Sequence, residues 1–251
     1  MRVAVKFAYD GKNFHGYARQ PKLKTVEGEL IKFLVKYGFI EDTKESVFRS
    51  ASRTDKGVSA LSNIIVFNTD SSKIQILNCL SNDLSEILVY GIKEVELDFN
   101  PRHAKMRRYS YYLQISNLDI EKIVTTSACF TGEHNFSNFA RLESFKDPVR
   151  TIYNILIIHE KDFLIIDFYA QTFLWHQIRR ILSAVIKIGN GRLEKEQIIE
   201  ALVNPEKTVD FGLAPAEPLI LKDIIYDFDF EIEKTQFDKI KHLEKQIISS
   251  I

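Results

Sequence analysis

The sequence predicts an α+β fold made of two ferredoxin-like, RRM-like halves, each with an antiparallel sheet packed by helices. Three observations support this prediction. Short runs alternate between apolar and polar residues, longer runs have helical spacing, and the first half follows the order β-α-β-β-α-β. The second half repeats these element types, so we place the domain boundary at residue 104, with halves 1–104 and 105–251.

The composition is that of a globular protein, with 45% hydrophobic and 27% charged residues among 251. No run reaches the roughly 18 apolar residues that a membrane helix needs, and charges interrupt the N-terminus where a secretory signal would be apolar. We therefore predict a cytoplasmic protein with no membrane partner. Cys79 and Cys129 are far apart and outside any Cys-x-x-Cys motif, which argues against a disulfide framework and against a thiolate zinc site.

The first half begins with alternating residues and continues with a helix that Thr25 caps and Gly38 ends. Its predicted elements are strand 2–9, helix 26–37, strand 46–51, strand 63–67, helix 74–84 and strand 88–95. The two middle strands flank a polar loop, so this loop joins neighbouring strands.

The second half contains the most amphipathic helix of the chain, predicted over 174–188 with His176, Arg179 and Arg180 on its polar face. A polar and aromatic loop is predicted at 133–139. An acidic strand is predicted around 227–233, where Asp227, Asp229, Glu231 and Glu233 alternate with apolar residues. The other predicted elements are strand 107–115, helix 120–131, strands 152–159 and 163–170, helix 194–203 and a C-terminal helix.

The polar loop of the first half contains the densest cluster of reactive groups in the chain. Asp55 lies between Arg53 and Lys56, and Gly57 follows at a position that allows a turn with positive φ. The two cations favour the ionised carboxylate, which can act as a nucleophile or as a base. An ordinary polar turn is the alternative, because Asp and Gly are common in turns.

The net charge is zero, but basic residues are concentrated in two stretches. No acid lies between Asp98 and Asp119 or between Asp167 and Glu194. The basic residues there include Arg102, Lys105, Arg107 and Arg108 in the first stretch and His176, Arg179 and Arg180 in the second. This distribution favours a local phosphate-binding surface, with solvated faces as the alternative.

Five motifs in order resemble those of the TruA-type tRNA pseudouridine synthases, over residues 2 to about 225. They are Tyr9-Asp10-Gly11 with Phe14-His15-Gly16-Tyr17 and Gln20, Arg53-Thr54-Asp55-Lys56-Gly57-Val58, Arg107-Arg108-Tyr109-Ser110-Tyr111, Phe173-Leu174-Trp175-His176-Gln177-Ile178-Arg179, and Ala214-Pro215-Ala216-Glu217-Pro218-Leu219. Each motif alone is a weak signal, whereas five in the same order make chance an unlikely explanation.

The resemblance implies an isomerase that converts uridine to pseudouridine in the anticodon arm of tRNA, with its active-site cleft between the halves. Asp55 is then the catalytic aspartate, Tyr109 stacks on the uracil and Arg179 pairs with Asp55. Arg53 fills the gap left by the flipped nucleotide, and Leu219 lines the pocket. The family works without metal or cofactor, as a homodimer that binds tRNA across both subunits.

Two other functions are compatible with the residues. A non-catalytic RNA-binding module with two RRM-like halves would use the same basic stretches and aromatic residues. A hydrolase could use Asp55 as its nucleophile, although no second acid or base pairs with it in the sequence.

Overall fold

The fold is that of a computed structural model, which describes residues 1–230, 232 and 234–251. The strands of these residues are β1 (Arg2–Tyr9), β2 (Arg49–Ser50), β3 (Ser59–Asn68), β4 (Ile87–Val95), β5 (Met106–Gln114), β6 (Gly132–Asn135), β7 (Val149–Glu160), β8 (Phe163–Ala170) and β9 (Leu219–Ile225). The helices are α1 (Val26–Lys36), α2 (Lys73–Asp83), α3 (Ile120–Ser127), α4 (Gln177–Gly189), α5 (Lys195–Val203) and α6 (Lys234–Ser249).

The chain divides into two compact units, which confirm the predicted α+β class. Unit 1 contains residues 1–105 and 219–251, and unit 2 contains residues 106–218. The domain halves 1–104 and 105–251 stay a prediction. The compact units differ from them mainly because residues 219–251 belong to unit 1.

Unit 1 begins with the predicted succession β1-α1-β2-β3-α2-β4. Its sheet has β1 between β4 and β3, and both pairings are antiparallel. The other edge of β3 is shared by two strands: β2 pairs antiparallel near its end, and β9 pairs parallel at its start. The point where β3 begins is therefore covered by a strand from far along the chain.

Strand β1 is buried on both faces, although its alternation predicted one polar face. All residues of β1 except Lys6 are buried, so both faces of this inner strand are covered. Arg2 is only 2% exposed and donates to the Phe99 carbonyl at 3.0 Å and to Asn68 Oδ1 at 2.8 Å. Burial is the main cause that lowers its pKa.

Unit 2 has the sheet order β5-β8-β7-β6, with antiparallel pairs throughout. Strands β7 and β8 form the predicted hairpin, in which Lys161 has a φ of 54°. Helices α3 and α4 pack against each other, and the inward face of α4 is buried as predicted.

Of the strand predicted at 46–51, only Arg49–Ser50 forms a strand, and three further local predictions are wrong. The loop predicted at 133–139 contains β6 and a 3₁₀ turn at Ser137–Phe139, because pairing with β7 organises a segment that has no alternation of its own. Helix α4 begins at Gln177, three residues late, since His176 before it has a φ of 63°. Residues 227–230 follow the end of β9 and are not in a strand, while Glu231 and Glu233 of the predicted acidic strand lie outside the described residues.

Candidate active site

The Asp55 loop, residues 51–58, connects β2 to β3 in unit 1. Asp55 is half-buried, whereas Arg53 and Lys56 are exposed on either side of it. The Val58 N–H donates to the Asp55 carbonyl at 3.2 Å, which closes a turn, and Gly57 has a φ of 87°. The predicted turn with a glycine at positive φ is thus confirmed, and it presents the carboxylate at the surface of unit 1.

The start of this loop is tied to strand β3 by two hydrogen bonds. The Ala51 N–H donates to the Ile64 carbonyl at 2.9 Å, and the buried Asn63 side chain donates to the Ser52 carbonyl at 3.0 Å. A buried amide with defined partners restricts the chain strongly, because an unmade hydrogen bond there is costly. The loop therefore enters its turn at a fixed point.

Thr54, the residue before Asp55, is held through two oxygens. Its Oγ1 shares a buried 2.8 Å hydrogen bond with the Tyr9 hydroxyl, and its carbonyl accepts from the Tyr17 N–H at 3.1 Å. Burial raises the pKa of Tyr17 well above its ordinary value, and the nearby Ser50 side chain opposes part of that rise. The two tyrosines belong to the first motif, so the first and second motifs meet at Thr54.

Two glycines of the first motif lie directly against the backbone of the Asp55 loop. A Cβ on Gly11 would lie 2.4 Å from the Val58 carbonyl oxygen, far inside contact distance. A Cβ on Gly16 would lie 3.3 Å from the Lys56 nitrogen, and Gly16 also has a φ of 94°. The first motif is therefore a close-fitting support for the Asp55 loop, and glycine is needed at both positions.

Leu219 is brought to the Asp55 loop by strand pairing within unit 1. Ser59 pairs with Ile220 in the parallel β3–β9 register, so Leu219 lies at the level of Val58, the last residue of the loop. Leu219 is 5% exposed. Sequence separation hid this proximity, because the two residues are more than 150 positions apart.

The predicted aromatic strand of unit 2 is β5. Tyr109 lies opposite Phe168 of β8, and its ring meets the Phe173 ring edge-on at 5.5 Å between centroids. Tyr111 is more deeply buried, and this burial raises its pKa to about 12, with Arg179 opposing the rise and Glu217 adding to it. Tyr111, Arg179 and Glu217 are therefore electrostatic neighbours in unit 2.

Arg179 of α4 is held by the segment that precedes β9. Its Nε donates to the Ala214 carbonyl at 2.9 Å, and the Ala214 N–H donates back to the Arg179 carbonyl at 3.0 Å. One helical turn later, Ser183 Oγ donates to the Phe211 carbonyl at 2.7 Å. The fourth and fifth motifs therefore meet in unit 2, with the guanidinium oriented by backbone groups.

Several of the basic residues predicted to bind RNA are engaged within their own unit. Arg107 is 5% exposed and donates to the Gln171 carbonyl, which favours a structural role for it. Lys105 pairs with Asp227, and Arg180 pairs with Asp210 at 3.0 Å. Arg102 is exposed, and half-buried His176 stands beside the Trp175 ring. RNA binding by these residues stays a prediction.

Arg108 takes part in a buried network that the sequence did not reveal. Its Nη2 donates to Asp167 at 2.6 Å, and Asp167 also accepts from Ser110 and, at 3.3 Å, from the Tyr169 hydroxyl. Burial lowers the pKa of Arg108, but the hydrogen bond and charge of Asp167 outweigh it and the net shift is upward. An acid inside the apolar run Phe163–Ala170 was the available signal.

Within the described part of the chain, no group of three or more His, Cys, Asp or Glu side chains is placed to hold a metal ion. None of the helices described is long and apolar enough to cross a bilayer.

Known proteins show clear similarity to this chain. A family model for tRNA pseudouridine synthase matches residues 127–227. The tRNA pseudouridine synthase A of Thermococcus sibiricus is 44% identical over 245 residues, covering 96% of this chain and 91% of that protein. Its counterpart from Pyrococcus abyssi is 42% identical over 244 residues, with the same two coverages. Among solved structures, a Cbf5-Nop10-Gar1 complex matches with a TM-score of 0.40 at 13% identity, over 74% of this chain and 45% of that chain.

Proposed function

The chain belongs to the tRNA pseudouridine synthase A family, and we propose that Asp55 is the residue with which it isomerises uridine in the anticodon arm of tRNA. The activity itself, conversion of uridine to pseudouridine in tRNA, follows from membership of the family. The observation that carries the proposal is the similarity over 96% of the chain, joined to a half-buried carboxylate on a rigid turn.

The reaction requires no redox partner, because its product is an isomer of its substrate. The N1–C1′ bond breaks, the uracil turns over and C5 joins C1′, while the hydrogen lost from C5 is balanced by one gained at N1. A carboxylate suits this chemistry because it can add covalently and leave again.

The uridine must leave its stack to reach Asp55, which costs a few kcal/mol. Tyr109 is proposed to offset this cost by stacking on the uracil, an interaction of about 1–3 kcal/mol per base. Its ring is already oriented by Phe173. Arg53 is exposed beside Asp55 and is proposed to occupy the gap in the RNA, and Leu219 is proposed to line the pocket.

Arg179 is proposed to keep Asp55 ionised. A guanidinium is suited to this role because it stays charged and does not give up a proton at neutral pH. Its orientation by Ala214 supports the proposal, since a fixed cation acts without being ordered first. The pairing of Arg179 with Asp55 and the cleft between the halves stay predictions.

The tRNA partner is proposed to be bound at the exposed cations, of which Arg102 is the clearest example. A homodimer in the cytoplasm remains the expected form of the enzyme. The alternative of a non-catalytic RNA-binding module receives no support from the relatives, which are named as synthases.

Replacement of the carboxylate tests the proposal. Asp55→Asn is expected to retain the fold and tRNA binding and to abolish pseudouridine formation, since an amide is not a nucleophile of the required kind. Pseudouridine would be mapped in tRNA after incubation with each protein, and binding measured by filter retention. Asp70→Asn, the same change at an exposed position of unit 1, is the matched control and should remain active. Full activity of Asp55→Asn would refute the assignment.

A further inference from the structure

We infer that Thr54 and Tyr9 are positioning residues for Asp55. In this inference, the hydrogen bond between their hydroxyl groups fixes where the Asp55 carboxylate stands. The inference rests on the proposed role of Asp55, and it assigns to the first motif a specific task in catalysis.

Thr54 determines the direction in which the chain enters Asp55. It is 8% exposed, and its side-chain oxygen and its carbonyl oxygen are both hydrogen-bonded to residues of the first motif. On the other side of Asp55, the turn is closed by the Val58 N–H at 3.2 Å. The backbone is therefore held immediately before and immediately after the catalytic position, and the Thr54 side chain supplies one of these restraints.

Tyr9 is a rigid anchor for this restraint. It is the last residue of β1 and is 1% exposed. Its ring contacts the rings of Phe7 and Phe14, each at 6.0 Å between centroids, and that of Tyr17 at 6.4 Å. A side chain packed by three rings cannot follow a moving loop, so the hydrogen bond transmits the position of the sheet to Thr54.

Because this hydrogen bond is buried, its loss is expected to change the position of the Asp55 loop. Because the bond is shielded from water, its loss removes a buried restraint from the loop, which can then shift. A displacement of about 1 Å at a catalytic group can lower the rate about 100-fold. Apart from Arg53, the residues proposed to bind tRNA lie outside this loop, so KM should change much less than kcat.

The test compares kcat and KM for tRNA in Tyr9→Phe, Thr54→Val, the double variant and Thr54→Ser. We expect kcat to fall about 10- to 100-fold in each of the first two, with KM within about threefold of wild type. The double variant should lose no more than the worse single variant, because the two changes remove the same bond. Thr54→Ser keeps the hydroxyl and should recover most of the rate.

Tyr90→Phe is the matched control for simple loss of stability. The Tyr90 hydroxyl of β4 is also buried in unit 1 and donates to the Leu61 carbonyl of β3 at 2.7 Å, a hydrogen bond that includes no residue of loop 51–58. This variant should lose a similar amount of thermal stability and keep its kcat. A readout of stability alone would not separate the variants, whereas kcat does.

Two results would overturn the inference: wild-type kcat in Tyr9→Phe and Thr54→Val, or an equal loss of kcat in Tyr90→Phe. Asp55→Asn in the same assay separates this failure from that of the proposed function. If Asp55→Asn is inactive while Tyr9→Phe and Thr54→Val are fully active, only the positioning role is refuted. If Asp55→Asn is active, the catalytic assignment is refuted and the positioning role with it.

Discussion

Replacement of Gly11 by alanine should disturb the Asp55 loop without straining the altered residue itself. Gly11 does not have a positive φ, so alanine is allowed by its backbone. Its new Cβ would meet the Val58 carbonyl oxygen at 2.4 Å and the Val58 carbonyl carbon at 2.5 Å. A backbone group cannot rotate away as a side chain can. Either the segment around Gly11 or the Asp55 loop therefore has to move.

The size of the effect follows from that distance. Ordinary contact begins near 3.4 Å, so relief of a 2.4 Å contact requires a movement of about 1 Å. Overpacking of this kind costs about 1–3 kcal/mol of the free energy of unfolding. The same movement at Asp55 is expected to lower kcat about 100-fold.

Urea titration would measure the loss of stability, and steady-state kinetics of pseudouridine formation would measure the loss of kcat. Gly38→Ala is the control, because it strains the backbone without creating a close contact. Gly38 has a φ of 67°, and nothing lies within 4 Å of its new Cβ. It should cost about 1–2 kcal/mol through backbone strain and leave kcat unchanged. Wild-type stability and kcat in Gly11→Ala would show that the first motif does not support the loop as described.

Two further predictions concern unit 2. Burial raises the pKa of Tyr111 to about 12, so the folded protein keeps this proton when the unfolded chain, with a pKa of about 10, releases it. The stabilisation from this proton is complete below about pH 10 and is lost as the pH rises toward 12. In urea titrations, the free energy of unfolding of the wild type should therefore fall by about 1.4 kcal/mol more than that of Tyr111→Phe by about pH 11. An equal fall in the two proteins would contradict this. Asp167→Asn should lower the free energy of unfolding by about 1–3 kcal/mol, because a neutral amide cannot balance Arg108. Asp210→Asn, whose carboxylate is 73% exposed, should cost less than about 1 kcal/mol, and equal losses in the two variants would argue against the buried network.

The sequence by itself determined the order of most elements and the form of the Asp55 loop. Alternation, helical spacing and caps are local, so β1, α1 and the β7–β8 hairpin could be predicted with near-correct limits. The turn at Gly57 is local for the same reason. Thr25 caps α1 by accepting from the Gly28 N–H, as its position before the apolar run predicts.

Only the tertiary structure decided which distant groups support the candidate site. The Tyr9–Thr54 bond joins residues 45 positions apart, and the Arg108–Asp167 pair joins residues 59 apart. Neither pairing produces a pattern in the local sequence. Whether a charged residue such as Arg107 is buried in the fold or exposed for binding also depends on the tertiary structure, and Arg107 is buried. The sequence shows Asp55 and the turn that carries it, whereas the packing of Tyr9, Gly11 and Thr54 shows how that turn is held.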